Sequence, residues 1–282
     1  MEFIIAKNAG FCFGVKRAID ETYKILNTSD KKIYSIGSLI HNEIVINELY
    51  KKGLVEINSI DDIKKLHNEK VIIRTHGIEK DIYELLKNNG NDIIDLTCPF
   101  VAKIHNIVKE YSDMGYKVLV IGDKKHPEVK GIVSYGKDVS AIFSEKDIKD
   151  LDLSSNLQIL VVFQTTTNAT FAEKLVDILR DFYYNIKVIN TICNTTIDRQ
   201  DEVASLAKTL DVMFIIGSKK SSNTMKLYDI SNMYCKNTYI LSDKSDLINI
   251  KLKNDAKVGV CAGASTPQYL IEEILTDARK QF

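Results

Sequence analysis

Apolar runs of four to six residues recur along the chain, and between them lie stretches whose apolar positions repeat with a helical period. From residue 31 onward these read KKIYSIG, the helix HNEIVINELYKKG, LVEI, VIIRTH, the helix EKDIYELLKNNG and DIIDLTC. The series returns as YKVLVIG, HPEVKGIVSYG, VSAIF, LQILVVF, NATFAEKLVDILRDF and IKVINTIC. A third pass runs DVMFIIG, SSNTMKLYDISNMY, NTYIL, KVGVCAG and PQYLIEEILTDARK. Short continuous apolar strands alternating with helices predict parallel sheets built from βαβ units, because a strand covered by helices on both faces has no polar side. The third pass lacks a fourth strand, whereas the N-terminal MEFIIAK is a strand with no unit before it. The pattern predicts an α/β protein of three similar small parallel-sheet domains in a pseudo-threefold trefoil. Their bounds are residues 13–97, 98–192 and 193–282, the last completed by residues 1–12.

The repeat carries chemistry as well as shape. Cys12, Cys98 and Cys193 each follow a short apolar strand and precede a helix, with spacings of 86 and 95 residues. Behind them come the Ile-Gly strand ends at Gly37, Gly122 and Gly217, offset by 25, 24 and 24 residues. Four residues beyond each glycine stands a polar residue: His41, His126 and Ser221. One apolar face follows the first two cysteines, made by Val15, Ala18, Ile19 and Thr22, then by Val101, Ile104, Val108 and Tyr111. A thiol at a helix start faces unpaired N–H groups and the positive end of the helix dipole, which favour the thiolate and a bound anionic cluster.

A single cysteine here would read as a small buried hydrophobe. Three at equivalent positions read instead as thiolates presented to one centre, while Cys235 and Cys261 lack that placement and keep the apolar reading. Structural zinc sites draw on close CxxC pairs, which this chain lacks. Widely spaced single thiolates suit a cluster bound centrally between domains. An iron–sulfur cubane normally takes four cysteines, so three leave one iron open as a Lewis acid.

Composition narrows the partners. The 38 Lys and Arg equal the 38 Asp and Glu, so net charge points to neither nucleic acid nor an anionic membrane. The longest unbroken apolar runs, such as ILVVF, are five residues, far below the roughly 20 that span a bilayer. Glu2 and Lys7 bracket an apolar run too short for a signal peptide. Five cysteines without close pairs do not form a disulfide framework, and the expected compartment is the reducing cytoplasm.

In parallel sheets, sites form beyond the C-terminal ends of the strands. That edge carries His41, His76 in RTHG, His126 in HPEV, Thr165 in QTTT, Ser221, Ser222 and Asn223 in SSN, and Ser265 in AGAST. Imidazole, hydroxyl and amide donors near helix N-termini can hold a diphosphate without a Walker-type loop. Each also has a plain structural reading: SSN caps a helix, and AGASTP turns into a Pro-started one. His67 and His105 fall in helical stretches and read as solvated or packed. Glu128 follows Pro127, where a helix start favours an acid. Standing two residues after His126 at the expected cluster mouth, it is also the best-placed proton donor.

The stretches GFCFGVKRAI, HNEIV, THG, DLTCPFV, HPEV, QTT, ICNTTIDRQ, GSKKSSNT and AGASTP, in order from Cys12 to Pro267, closely resemble the 4-hydroxy-3-methylbut-2-enyl diphosphate reductases of the non-mevalonate isoprenoid pathway. The resemblance implies a three-domain trefoil with a central 4Fe–4S cluster held by Cys12, Cys98 and Cys193. It implies that the substrate hydroxyl meets the open iron while His41, His76, His126, Ser221, Ser222, Asn223 and Ser265 hold the diphosphate. Glu128 would deliver the proton that lets the hydroxyl leave as water, with Thr165 ordering that path. Electrons would come from an external donor such as flavodoxin or ferredoxin, and the products would be isopentenyl and dimethylallyl diphosphate. Cys261 departs from the family, which commonly has threonine there.

Two other readings stay open at this point. A three-cysteine cluster dehydratase of the quinolinate synthase type would use the open iron without net reduction, and SSN and HPEV speak against it. A cluster- or zinc-bearing sensor of a phosphorylated metabolite would leave the open iron and Glu128 without purpose.

Overall fold

The computed structural model describes residues 1–282. In chain order its elements begin with β1 (Glu2–Ile5), α1 (Phe13–Thr28), β2 (Ile33–Ile36), α2 (Glu43–Lys51), β3 (Leu54–Ile57), α3 (Ile60–Ile63), β4 (Lys70–Ile73), α4 (Lys80–Asn88) and β5 (Asp92–Asp95). Next come α5 (Pro99–Asp113), β6 (Lys117–Ile121), α6 (Pro127–Ser134), β7 (Val139–Ile142), α7 (Glu145–Lys149), β8 (Ile159–Phe163), α8 (Ala169–Phe182) and β9 (Ile186–Val188). The rest are α9 (Asn194–Ala207), β10 (Val212–Ile216), α10 (Ser222–Tyr234), β11 (Thr238–Leu241), a 3-10 turn (Lys244–Leu247), β12 (Lys257–Ala262) and α11 (Gln268–Gln281). No helix is long and apolar enough to cross a membrane.

The chain divides into two compact units. The first comprises Met1–Lys16, Ile40–Leu49 and Asn194–Phe282. Its four-stranded sheet has the order β1-β12-β10-β11 and is parallel throughout. The period-2 alternation of a strand explains the core on each face. Val212, Phe214 and Ile216 of β10 pack with Val258, Val260, Ile271 and Ile274, while Met213 and Ile215 turn the other way to Val203, Leu227 and Cys261. Phe214 is fully buried, which contributes about 2–3 kcal/mol relative to an exposed ring.

The second unit comprises Arg17–Leu39 and Tyr50–Cys193. It holds two parallel four-stranded sheets, β3-β2-β4-β5 and β7-β6-β8-β9. Read as β11-β10-β12-β1, the sheet of the first unit has the same strand order, with β1 in the place that β5 and β9 take in theirs. The central strands β6 and β8 are buried at every position, as expected for strands covered on both faces. Even Lys117 of β6 is only 8% exposed; its ammonium reaches Asp138.

Three short helical segments, α3, α7 and the 3-10 turn, do not show in the hydrophobic pattern. Each is only four or five residues long, too short for a helical period to register, and each is started by a side-chain cap from Ser59, Ser144 or Asp243. The strands leading to the cysteines also stop earlier than the apolar runs suggest. Residues 6–11, 96–97 and 189–192 intervene as connecting loops before Cys12, Cys98 and Cys193.

Candidate active site

One backbone device recurs at three strand ends. After β4, β8 and β12 the chain makes the same turn: Gly77 N–H donates to Arg74 O, Thr167 N–H to Gln164 O and Thr266 N–H to Gly263 O, each at 3.0 Å. The residue after the first of each turn accepts from a cysteine N–H. Cys98 donates to Thr75 O at 3.0 Å, Cys193 to Thr165 O at 3.0 Å and Cys12 to Ala264 O at 3.1 Å. None of the three thiols is in a disulfide, all are half-buried, and each stands immediately before a helix. Cys98 is the N-cap of α5, with Pro99 following it where the missing N–H costs nothing. Soft thiolate donors at helix starts fit a thiophilic metal centre.

In the first unit, Ser265 is 6% exposed and its hydroxyl donates to His41 O at 3.1 Å, so these two predicted residues are neighbours. His41 precedes Asn42, whose Oδ1 accepts from Val45 N–H at 3.2 Å and starts α2. Ser221 is the N-cap of α10, taking Thr224 N–H at 3.4 Å, and Ser222 is half-buried beside it. Asn223 is 5% exposed with its Nδ2 unsatisfied by any hydrogen bond. A buried amide donor left unpaired costs about 1–3 kcal/mol, a cost that a ligand oxygen removes. The loops are set by close approach: a Cβ on Gly263 would lie 2.2 Å from Thr224 Oγ1, and one on Gly217 (φ +149°) 2.7 Å from the same atom.

In the second unit, His76 and His126 meet edge to face with ring centroids 5.2 Å apart. His126 is the N-cap of α6 and accepts Glu128 N–H on Nδ1 at 3.2 Å, which places the proton of the neutral ring on Nε2. Glu128 is 1% exposed. Its Oε1 accepts Thr165 N–H at 2.7 Å and its Oε2 accepts the Thr165 hydroxyl at 2.8 Å. A buried carboxylate held at both oxygens by one residue is a group kept in a fixed orientation, not a solvated helix-start acid.

The groups set aside on sequence grounds lie elsewhere. Cys235 is buried, donates to Asp211 O at 3.4 Å, and burial pushes its thiol pKa up. Cys261 is 2% exposed in the core, where burial pushes its thiol up to about 12 and Glu202 adds to the effect. In both, burial favours the neutral thiol. His67 is not helical; it is exposed in the loop after α3. His105 is packed inside α5, 6% exposed and stacked on Tyr135 at 4.1 Å, and burial lowers its pKa to about 4.

Sequence reasoning missed several residues that build this edge. Gln164, fully buried, accepts Asp123 N–H at 3.2 Å and donates to Thr166 Oγ1 at 3.2 Å. Thr167 and Thr266 tie their turns back to Ile121 O (3.3 Å) and Ile216 O (3.0 Å). Lining up RTHG, QTTT and GAST as one repeated turn would have found them, and would have set Thr166 beside His76 and Ser265. The result is a triplicated parallel-sheet α/β protein in which every repeat brings a half-buried cysteine and polar side chains to the C-terminal strand ends.

A family model described as LytB protein matches residues 3–279. The chain is 42% identical over 280 residues to the 4-hydroxy-3-methylbut-2-enyl diphosphate reductase of Caldanaerobacter subterraneus subsp. tengcongensis, covering 98% of this chain and 96% of that one. To the reductase of the same name from Campylobacter fetus subsp. fetus it is 43% identical over 277 residues, with 98% and 96% covered. Among solved structures, the E-1-hydroxy-2-methyl-but-2-enyl-4-diphosphate reductase of Plasmodium falciparum is similar with a TM-score of 0.92 at 29% identity, covering 98% of this chain and 87% of that one. The chain belongs to the LytB protein family.

Proposed function

We propose that this chain catalyses the reductive dehydroxylation of (E)-4-hydroxy-3-methylbut-2-enyl diphosphate to isopentenyl and dimethylallyl diphosphate in the cytoplasm. The observation that carries the reading is the threefold recurrence of a half-buried cysteine outside any disulfide at a helix start, its backbone N–H fixed to a turn of constant geometry. Cys12, Cys98 and Cys193 would hold a 4Fe–4S cluster. When bound, that cluster supplies the electrons and, at its iron without a thiolate, a Lewis-acid position for the substrate hydroxyl. The balance is substrate plus two electrons plus two protons giving product plus water: the allylic C–O bond breaks and a C–H bond forms. Electrons come from an external carrier such as flavodoxin or ferredoxin.

The chain's own residues bind, orient and protonate. Asn223 Nδ2, the hydroxyls of Ser221, Ser222 and Ser265, and the imidazoles of His41, His76 and His126 would serve as donors to diphosphate oxygens. Glu128 would be the acid that protonates the departing hydroxyl. Thr165 donates to both carboxyl oxygens and keeps them in place, and its hydroxyl would order the proton path. Burial of that pair keeps bulk water from the proton path.

The test is anaerobic preparation, iron and sulfide analysis, and turnover with reduced viologen. The reading expects roughly equal iron and sulfide and both five-carbon diphosphates as products. Zinc as the only metal, or no diphosphate product, would refute it.

A further inference from the structure

His105 is a buried titratable group that the proposed chemistry does not use. It lies on α5, the helix that Cys98 caps. Its ring is stacked on Tyr135 with 12° between the planes, and burial keeps it neutral near pH 7. Nε2 is buried with no hydrogen-bond partner. An apolar side chain would avoid the cost of that unpaired atom; what sets the imidazole apart is its flat, five-membered outline.

Two bare α-carbons face the ring. A Cβ on Gly77, the residue after His76, would lie 2.8 Å from His105 Cε1 and 3.5 Å from Nε2. A Cβ on Gly131 of α6 would lie 3.5 Å from the same Nε2 and 3.4 Å from Ile78 O. The edge of the imidazole is thus packed against both the turn that carries His76 and the helix that His126 caps. The seam continues along the chain. Ser134, one turn beyond Gly131 on α6, donates its hydroxyl to Gly131 O at 2.6 Å and accepts Lys80 N–H at 2.8 Å. Gly77, Ile78 and Lys80 are therefore seated in succession on His105, Gly131 and Ser134.

The outcome of this seating is the spacing of two proposed diphosphate donors. His76 immediately precedes Gly77, His126 starts α6, and their rings meet at 5.2 Å. A close-packed joint has few alternative arrangements, and donors already in place bind without the cost of being ordered. We propose that His105 and Ser134 are positioning residues: they seat the His76 turn on α6, so that His76 and His126 are spaced for one diphosphate before it binds. The proposal rests on the diphosphate reading above.

The experiment measures substrate affinity by calorimetry, with turnover and thermal unfolding, on anaerobically reconstituted wild type, His105→Leu, Ser134→Ala and Ser134→Thr. Each is also made in a His76→Ala background. His105→Leu and Ser134→Ala are expected to weaken substrate binding roughly tenfold, the worth of one hydrogen bond to a charged group. Turnover at saturating substrate should change less, because Thr165 still holds Glu128. Ser134→Thr, which keeps the hydroxyl, should stay near wild type. Beside His76→Ala neither substitution should weaken binding further, because the side chain being positioned is gone. A packing role alone would lower the melting temperature and leave the affinity of the folded enzyme unchanged. Full affinity in the folded variants, or losses that persist undiminished beside His76→Ala, overturn the proposal. Should His105→Leu fail to fold, Ser134→Ala and Ser134→Thr decide. A wild-type chain that binds no allylic diphosphate overturns the diphosphate reading, and this proposal with it.

Discussion

Replacing Glu128 with glutamine separates the two roles that position can have. The carboxylate is 1% exposed, with Oε1 taking Thr165 N–H at 2.7 Å and Oε2 the Thr165 hydroxyl at 2.8 Å. Glutamine has the same shape. Its carbonyl oxygen keeps the Thr165 N–H, and its NH2 donates to the Thr165 oxygen once that hydroxyl turns round. Two charge-assisted bonds become neutral ones, a difference on the order of 1 kcal/mol each, so the fold loses about 2 kcal/mol at most. The His126 cap survives because it uses the backbone N–H of residue 128 at 3.2 Å, which leaves that imidazole in place. What glutamine cannot do is release a proton to the departing hydroxyl. Positioned acid catalysis is worth about 10² to 10⁴ in rate, or roughly 3–5 kcal/mol of barrier. Anaerobic turnover with reduced viologen should fall by that factor, while calorimetry shows substrate affinity within a few-fold of wild type. Turnover within about threefold of wild type would return Glu128 to the role of a helix-start acid and remove it from the mechanism.

Other expectations follow from the same geometry. Asn223→Ala removes a buried, unpaired donor, so thermal stability should hold or rise while substrate affinity falls by roughly ten- to a hundredfold, the worth of a hydrogen bond to a charged group; equal loss of both would refute a ligand role. Cys12→Ser, Cys98→Ser or Cys193→Ser should each lose iron, whereas Cys235→Ser, at a thiol 6% exposed in the core, should leave iron content unchanged. Gly77→Ala meets both a φ of +72° and His105 Cε1 at 2.8 Å, so unfolding should show a loss of more than the roughly 1–2 kcal/mol of backbone strain alone. His105 has a pKa lowered from 6.5 to about 4 by burial, so the unfolded chain binds the extra proton first as pH falls. Its contribution is whole above about pH 6.5, is lost between there and about pH 4, and amounts to on the order of 3 kcal/mol. His105→Phe should flatten that part of the stability–pH curve, and an unchanged curve would show that other groups cause it.

The sheets were legible because their strands are covered on both faces and therefore read as unbroken apolar runs; ILVVF became β8 and VMFII became β10, buried at every position. The thiols were legible because a repeat shows equivalent positions even when flanking residues differ. Less legible was whatever depends on a few local bonds. The hydroxyl cap of Ser144 starts α7 in a stretch with no helical period, and the loop of residues 6–11 is held by Glu202 and Arg199 from nearly two hundred residues away. His105 shows the limit from the other side. Its helical placement was readable, but whether it was solvated or packed depended on Tyr135 and Gly77, which no periodicity connects to it.

The turns after β4, β8 and β12 explain why chemistry varies where the backbone does not. Each is closed by one N–H to carbonyl bond and braced by a cysteine N–H on the following carbonyl, and none of these atoms belongs to a side chain. The position after that carbonyl is then free to carry imidazole, hydroxymethyl or hydroxyethyl without altering the turn: His76, Ser265 and Thr166. His76 and Thr166 are half-buried at this position, and Ser265 is 6% exposed. Gln164 donates to Thr166 Oγ1 at 3.2 Å, which fills an acceptor lone pair and directs the hydroxyl proton away from the glutamine. If position rather than residue type decides what meets the diphosphate, Thr166→Val should weaken substrate binding and Thr166→Ser should restore it. Equal affinity in Thr166→Val and wild type would show that the turn after β8 serves only to seat Thr165 against Glu128.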